Sequence, residues 1–232
     1  LLYLIMSGFV ISLNWGTFIF AVNTGHVVDA SLGYFINPLL TIFLAAIVLK
    51  EKLSGLQIIA VILAAIGVAV MTVSYGSIPY IAIVLAATFS TYSLLKRIVK
   101  TDVVMGLAAE TFAVLPLAVC FLIFVRISGQ PVYSHLNIGE LLFLLGSGIA
   151  TAGPLLLFSY GTRIVPMTTV GFIQYLSPTI NLFLGIFLYR EPFTFIEGVT
   201  FLFIWTALII YSISQVKQYS KHKNIEEGGS NA

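Results

Sequence analysis

Long apolar runs alternate with short polar stretches along this chain, and that pattern predicts its secondary structure. Eight runs are nearly free of charge and cover about residues 1–22, 30–49, 54–74, 77–95, 103–125, 141–162, 167–189 and 193–215. Each is close to the roughly 20 residues that an α-helix needs to cross the hydrocarbon core of a bilayer. Within a run the apolar positions are continuous and do not alternate with polar ones, which disfavours a membrane β-barrel. The pattern therefore predicts an all-α protein with eight membrane-spanning helices.

A short sequence pattern occurs twice, at an offset of 140 residues. Its matched pairs are Pro38/Pro178, Phe43/Phe183, Leu44/Leu184, Lys50/Arg190 and Glu51/Glu191, and two further pairs, Gly8/Gly148 and Phe18/Phe158, extend it upstream. Five predicted spans separate Glu51 from Glu191. Because this number is odd, the two copies are predicted to point in opposite directions across the membrane. Inverted repeats of this kind are a common construction of secondary transporters. We interpret the basic-acidic pairs that end the matching helices as interfacial ion pairs, with a role in gating as the alternative.

The repeat also predicts how the chain is divided. Residues 77–216 form a complete repeat of five helices, and residues 1–76 match only its last three helices. An offset of 140 residues would place the start of a complete first copy about sixty residues before Leu1. We therefore expect an N-terminally truncated chain that holds eight helices of a ten-helix transporter fold. The polar segment 217–232 is predicted to be a disordered cytoplasmic tail.

Composition and charge agree with a membrane protein. Hydrophobic residues make up 59% of the chain and charged residues only 9%, which is too little polar surface for a soluble globule. Nine of the eleven Lys and Arg residues lie in one set of loops and the tail: Lys50, Lys52, Lys96, Arg97, Lys100, Arg163, Lys217, Lys221 and Lys223. Cytoplasmic loops carry an excess of basic residues, so we place these loops and the C-terminus in the cytoplasm. The lipid bilayer is the predicted environment, and no nucleic-acid partner is suggested.

Prolines at equivalent places in the two copies point to a transport site. Pro38 and Pro178 each remove a backbone donor inside a predicted span, and Pro154 does the same in the sixth span. We predict a helix break at each of the three. Symmetry-related breaks near mid-membrane are the best sequence indication of where a transporter binds its solute. The alternative is a set of kinks that only shape helix packing.

Polar and aromatic residues near these prolines are the candidate substrate-binding residues. They are Asn14, Trp15, Tyr34, Asn37, Gln174, Tyr175 and Asn181. Positions 174, 178 and 181 fall on one face of a regular helix, which would line a polar cavity. The uncharged lining favours a neutral or zwitterionic small-molecule substrate. The alternative is that these side chains only form hydrogen bonds between neighbouring helices.

Glu110 is the only carboxylate well inside a predicted span. A carboxylate in a bilayer is costly and often serves a proton pathway, so Glu110 is our candidate for coupling transport to protons. The alternative is that Thr111, Arg97 or Lys100 simply satisfies its charge.

Other classes of function find less support. The single cysteine, Cys120, and the scattered histidines His26, His135 and His222 offer no metal-binding pattern, so no metal or cofactor is expected. An intramembrane enzyme would need a nucleophile with a base, which the spans lack, and we expect a non-enzyme. A non-transporting membrane partner or an inactive fragment stays an alternative. Homodimer formation is left open.

Several stretches resemble a known family. Asn14-Trp15-Gly16, Ala21-Val22-Asn23 and the segment from Ala30 to Leu39 resemble the signature region of the RarD branch of EamA-type transporters, in the drug/metabolite transporter superfamily. The segment from Gly171 to Pro178 and Phe203-Ile204-Trp205 resemble the same branch, so the likeness runs from about residue 8 to 213.

The resemblance implies ten spans in two inverted halves with both termini in the cytoplasm. It also implies a secondary carrier of the bacterial inner membrane that moves a small molecule. Our leading hypothesis is that the carrier works by alternating access. The chain departs from that pattern by lacking the first two spans, which would contribute to the cavity.

Overall fold

The computed structural model of this protein describes residues 2–76, 78–128, 137–189 and 194–229. These residues form nine α-helices: α1 Leu2–Asn23, α2 Val27–Ile47, α3 Gly55–Tyr75, α4 Tyr80–Ile98, α5 Val103–Ile127, α6 Ile138–Ile164, α7 Met167–Gln174, α8 Leu176–Leu184 and α9 Phe195–Gly229. A π-helical turn, Gly185–Tyr189, follows α8 directly, so α7, α8 and this turn make one span. Within the described part of the chain, eight helical segments are long and apolar enough to cross a membrane. The predicted all-α, multi-span membrane fold is therefore confirmed.

Local sequence explains where several helices begin and end. The side chain of Ser54 accepts the Gln57 N–H while the Gln57 side chain accepts the Ser54 N–H, which is a capping box at the start of α3. Gly76, at φ 78°, ends that helix in the left-handed conformation that glycine adopts without strain. Asp102 accepts the N–H groups of Met105 and Val104 at the start of α5, and these bonds lower the pKa of its carboxyl group.

The main hydrophobic core lies among α2, α3, α7 and α9, and these helices pack in repeat-related pairs. Helix α2 contacts α7, and α3 contacts α9 along its length. Their first residues, Val27 and Met167 in one pair and Gly55 and Phe195 in the other, each differ by 140 positions. The core therefore forms where equivalent helices of the two copies meet.

Small residues let these helices approach closely. A Cβ atom built on Gly171 of α7 would lie 2.6 Å from Cγ1 of Ile42 and 3.0 Å from the carbonyl oxygen of Pro38 on α2. On α3, Gly67 lies against the backbone of Thr200 on α9, where a Cβ atom would be 3.0 Å from the carbonyl oxygen. Small residues at helix contacts are the usual device for close packing in membranes, where lipid competes with apolar side chains.

The structure corrects two of the three predicted helix breaks. Helix α2 runs through Pro38 and α6 runs through Pro154 without interruption. Among the spans as far as the structure describes them, only the seventh is interrupted, at Tyr175, three residues before Pro178. Pro154 is exposed on the surface of α6, whereas Pro38 and Pro178 are buried.

The ends of several helices meet on one side of the protein. Glu51, just after α2, contacts the start of α7, and Arg97 in α4 contacts the end of α6. The Ser54 hydroxyl before α3 lies 2.9 Å from the Ser214 hydroxyl late in α9. Loops that the charge pattern places together are thus together in space, and their assignment to the cytoplasm stays a prediction.

Helix α9 continues to Gly229, past the residue 216 at which the sequence predicts a change to a tail. The division of the chain at residues 76 and 216 into repeats stays a prediction. Arg190 and Glu191, the second copy of the basic-acidic pair, and His135 lie outside the described residues.

Candidate functional site

A cavity of about 400 Å³ lies among α1, α2, α4, α6 and the junction of α7 with α8. Its wall consists of twelve residues: Asn14, Trp15, Phe18, Ala30, Gly33, Tyr34, Asn37, Leu85, Phe89, Phe158, Gln174 and Ser177. Five of the seven predicted substrate-binding residues belong to this wall, namely Asn14, Trp15, Tyr34, Asn37 and Gln174. None of the twelve carries a charge.

Repeat-related residues line the cavity together. Three pairs in its wall differ by 140 positions: Phe18/Phe158, Tyr34/Gln174 and Asn37/Ser177. Each pair takes one member from the first copy and one from the second. The cavity wall therefore draws residues from both predicted copies.

An amide-hydroxyl cluster connects α2 to α7 at the edge of the cavity. The Asn37 side-chain NH₂ donates to Oε1 of Gln174 at 3.1 Å, and the Thr41 hydroxyl donates to the same oxygen at 3.2 Å. The side-chain oxygen of Gln174 thus accepts two hydrogen bonds. Its buried Nε2, in contrast, has no hydrogen-bond partner among the described residues.

Asn14 is held rigidly on the opposite wall. Its side-chain NH₂ donates to the carbonyl oxygen of Leu85 at 2.8 Å and to the Thr88 hydroxyl at 2.8 Å, both on α4. Because both amide hydrogens are engaged, the carbonyl oxygen is the group that Asn14 can offer to a solute.

Aromatic rings form much of the remaining wall. Phe18 and Tyr34 meet edge to face with centroids 6.3 Å apart, and Phe89 lies 5.4 Å from Phe158. Trp15 adds a fifth ring. The first ring pair joins α1 to α2, and the second joins α4 to α6.

Two predicted site residues lie elsewhere. Tyr175 is fully buried in the core among α2, α3, α7 and α9 and does not reach the cavity. Asn181 is exposed on α8. The prediction placed Asn181 on the same face as Gln174 by assuming a regular helix, and the interruption at Tyr175 removes that regularity.

Glu110 forms a buried ion pair with Lys96, a residue that sequence reasoning assigned to a loop. The Lys96 ammonium nitrogen lies 2.6 Å from Oε1 of Glu110, and the Ser7 hydroxyl donates to the same oxygen at 2.5 Å. Lys96 is only 1% exposed and Glu110 only 4%. Because α4 extends to Ile98, Lys96 belongs to its last turn, one residue beyond the predicted span.

None of the three residues expected to pair with Glu110 is shown in contact with its carboxylate in the described structure. The Thr111 hydroxyl donates to the carbonyl oxygen of Leu107 within its own helix. Arg97 donates to the last carbonyl groups of α6, at Thr162, Arg163 and Val165. Lys100 is exposed after the end of α4.

The ion pair is one side chain away from the cavity. The Lys96 ammonium lies 5.2 Å from the centroid of the Tyr92 ring, which is a cation–π distance. Tyr92 in turn lies 6.1 Å from Phe89 and 6.4 Å from Phe158, both in the cavity wall. A change at the pair can therefore reach the cavity through direct packing.

Glu51 holds the start of α7 rather than facing solvent as an interfacial pair. Its carboxylate accepts the backbone N–H of Met167 at 2.8 Å and of Thr168 at 2.9 Å, and the Thr168 hydroxyl at 2.6 Å. A carboxylate at a helix N-terminus satisfies unpaired N–H groups and complements the helix dipole. This contact joins the α2–α3 loop of the first copy to the start of α7 in the second copy. Among the described residues, no three His, Cys, Asp or Glu side chains are grouped as metal ligands.

Comparison with known proteins identifies the family of this chain. The model of the EamA-like transporter family matches residues 1–73 and 77–213. The chain is 44% identical to the uncharacterized transporter YojE of Bacillus subtilis over 94% of its length and 72% of that protein. It is 40% identical to an uncharacterized transporter of Vibrio cholerae over 92% of its length and 71% of that protein.

Relatives named RarD are similar over the same region. The chain is 38% identical to protein RarD of Escherichia coli over 92% of its length and 72% of that protein. The match to the family model covers most of the chain, and so does the likeness to each relative. The chain therefore belongs to the EamA-like transporter family as a RarD-type member and is a membrane transporter.

Proposed function

We propose that this protein moves a small metabolite or drug-like solute across the bacterial inner membrane by alternating access, with the cavity as its binding site. The observation that carries the proposal is the cavity wall, in which residues 140 positions apart line the same cavity. A volume of about 400 Å³ falls in the range of small-molecule sites, about 300–1,000 Å³.

The helix contacts support a rocking movement of the two copies. Helices α2 and α7 meet through the cluster of Asn37, Thr41 and Gln174, which lies at the cavity edge. The interruption at Tyr175 provides a joint between α7 and α8. Movement at that joint would change how Gln174 and Ser177 face the solute.

Glu51 supports closure of one entrance. Its three hydrogen bonds to Met167 and Thr168 tie the two copies together on the side that carries the basic loops. Access from that side requires this contact to open, since it bridges the α2–α3 loop of one copy and the start of a helix in the other. Glu51 thus acts as a gate contact in our proposal.

Proton coupling, if it uses Glu110, must involve Lys96 as well. Protonation of Glu110 alone would leave a cation without its partner in a buried position, which costs several kcal/mol. We place proton uptake in the step where α4 moves and the Lys96 side chain reaches water at the helix end. The long, flexible lysine side chain is suited to such a movement.

The binding site is tested by comparing metabolites inside and outside cells that express the full-length gene or its variants. We expect a solute that is redistributed by the wild type and by Ile173→Ala but not by Gln174→Ala. Ile173 is the matched control because it precedes Gln174 and is 53% exposed. Equal redistribution by Gln174→Ala, with all proteins present in the membrane, would contradict the proposed site.

Proton coupling is tested by removing the pair in two steps. Glu110→Gln alone leaves Lys96 unpaired, and we expect lower protein levels. The double variant Glu110→Gln with Lys96→Gln removes both charges, and we expect it to fold and to transport without dependence on external pH. A double variant that keeps the pH dependence of the wild type would exclude the pair as the coupling site.

A further inference from the structure

Charge is the first property of the cavity that limits its ligand. None of the twelve wall residues is ionised, and the nearby Lys96 and Glu110 neutralise each other at 2.6 Å. An ion that enters such a wall loses water without gaining a charged partner, which costs several kcal/mol. A zwitterion suffers the same loss at two positions. The wall therefore favours a solute without formal charges, which narrows the neutral or zwitterionic class expected from sequence.

Shape is the second property. Five of the twelve wall residues are aromatic, and they include the ring pairs Phe18–Tyr34 and Phe89–Phe158. Aromatic rings attract other flat rings in offset or edge-to-face arrangements, at about 0.5–1.5 kcal/mol beyond simple burial. Such a wall selects a planar or aromatic body over a saturated one of the same size.

The two amides in the wall supply the third property. The Gln174 NH₂ group has no partner in the described part of the chain, while the side-chain oxygen accepts hydrogen bonds from Asn37 and Thr41. Because this nitrogen is buried, it would meet an acceptor on a solute only after a movement of the Gln174 side chain, which the interruption at Tyr175 would allow. Asn14 has the complementary arrangement, since its NH₂ is engaged by Leu85 and Thr88 and its oxygen can accept. A solute with one acceptor and one donor, as in an amide group, can form a hydrogen bond with Gln174 and another with Asn14.

We propose that the cavity binds an uncharged aromatic solute with an amide-type polar group, in preference to aromatic acids, amines and amino acids. The inference rests on the proposed function in taking this cavity as the substrate site. The ring lies among the aromatic residues of α1, α2, α4 and α6. The polar group lies between Gln174 and Asn14.

Binding of a matched set of probes to the purified full-length protein tests the proposal. Phenylacetamide is the neutral aromatic amide. Three probes carry the same ring with charges: phenylacetate is negative, phenethylamine is positive, and phenylalanine has one charge of each sign. Cyclohexylacetamide keeps the amide and lacks the aromatic ring. The reporter is Trp15, in the cavity wall, and the signal that counts is the fluorescence change that disappears in Trp15→Phe.

We expect phenylacetamide to bind at least about tenfold more tightly than each of the other four probes. Gln174→Leu should weaken phenylacetamide binding about tenfold, whereas Ile173→Ala should leave it unchanged. Thermal melting of each variant checks that it is folded, and the shift of the wild-type melting temperature by each probe gives a second ranking that does not depend on tryptophan.

Three results would overturn the proposal. Equal binding of the charged probes would remove the charge argument, and equal binding of cyclohexylacetamide would remove the aromatic argument. A complete lack of Trp15-dependent signal and of melting shifts would show that this class does not bind the cavity. The proposed transport function is tested independently, because solute redistribution in cells is measured without any of these probes.

Discussion

Helices α1 and α2 and their repeat equivalents, α6 and α7–α8, share sequence positions but have different surroundings. In α2, ten residues are buried, because the helix packs against α3, α4 and α7. Its equivalent has fewer buried residues among those described: five in α7, Tyr175 at the junction, and Pro178 in α8. Helix α1 packs against α4 and α5, whereas most of α6 is exposed. The repeat determines which residues recur, and the neighbouring helices determine whether each of them is buried or exposed.

The difference is visible at matched residues. Gly8 on α1 touches the backbone of α5, and Gly148 on α6 faces open space. Thr41 on α2 is fully buried and donates to Gln174, while its equivalent Asn181 is exposed on α8. A buried position in one copy can therefore have an exposed equivalent in the other.

The strongest test of the comparison uses the two glycines. A Cβ atom on Gly8 would lie 2.8 Å from the carbonyl oxygen of Glu110, so Gly8→Ala forces α1 away from α5. We expect a loss of stability of about 1–3 kcal/mol, as for other overpacked sites. Gly148→Ala meets no atom within 4 Å and should instead stabilise α6 by about 0.5–1 kcal/mol. Thermal melting of the purified variants measures both, and changes of the same sign would refute the comparison.

A second test uses the polar pair Thr41 and Asn181. Thr41→Val keeps the side-chain shape and removes one of the two donors to the Gln174 oxygen. We expect phenylacetamide binding to weaken about fivefold, since one such hydrogen bond is worth about 1 kcal/mol. Asn181→Ala should leave binding unchanged because Asn181 is exposed and outside the cavity wall. Equal losses in the two variants would mean that both positions face the solute.

A third test, with an effect of similar size confined to one helix, uses the two prolines. Pro178→Ala restores a backbone N–H that can bond to the carbonyl oxygen of Gln174 and close the interruption at Tyr175. Hydrogen exchange of the amides near Tyr175 should then slow by roughly fivefold, for about 1 kcal/mol of added local stability. Pro38→Ala should change exchange in α2 little, because α2 is already continuous. Slower exchange in both helices to the same extent would show that the prolines act alike.

Most of the fold could be predicted from the chain itself. All eight spans are found close to their predicted positions, because the length of an apolar run is a local property that membrane thickness constrains directly. The site was predicted in part. Asn37 and Gln174 were identified from their places beside equivalent prolines, and they do meet in space.

The errors share a physical cause. Tyr175 follows Gln174 by one residue, about 100° around the helix, and so faces the core instead of the cavity. Asn181 was misplaced because the interruption of the seventh span cannot be located from a proline alone. Lys96 was missed because a basic residue near a span end resembles an ordinary loop residue. Only the position of Glu110 on a neighbouring helix identifies it as a partner.

The amino-acid sequence by itself determined the number, length and order of the membrane helices, the 140-residue repeat, and the small set of polar residues inside the spans. These properties depend on composition and spacing along one stretch of chain. The tertiary structure alone decided which polar residues share the cavity, which proline coincides with an interrupted span, and that Lys96 and Glu110 form a pair. Each of these depends on contacts between helices distant in sequence, and such contacts exist only once the helices have packed.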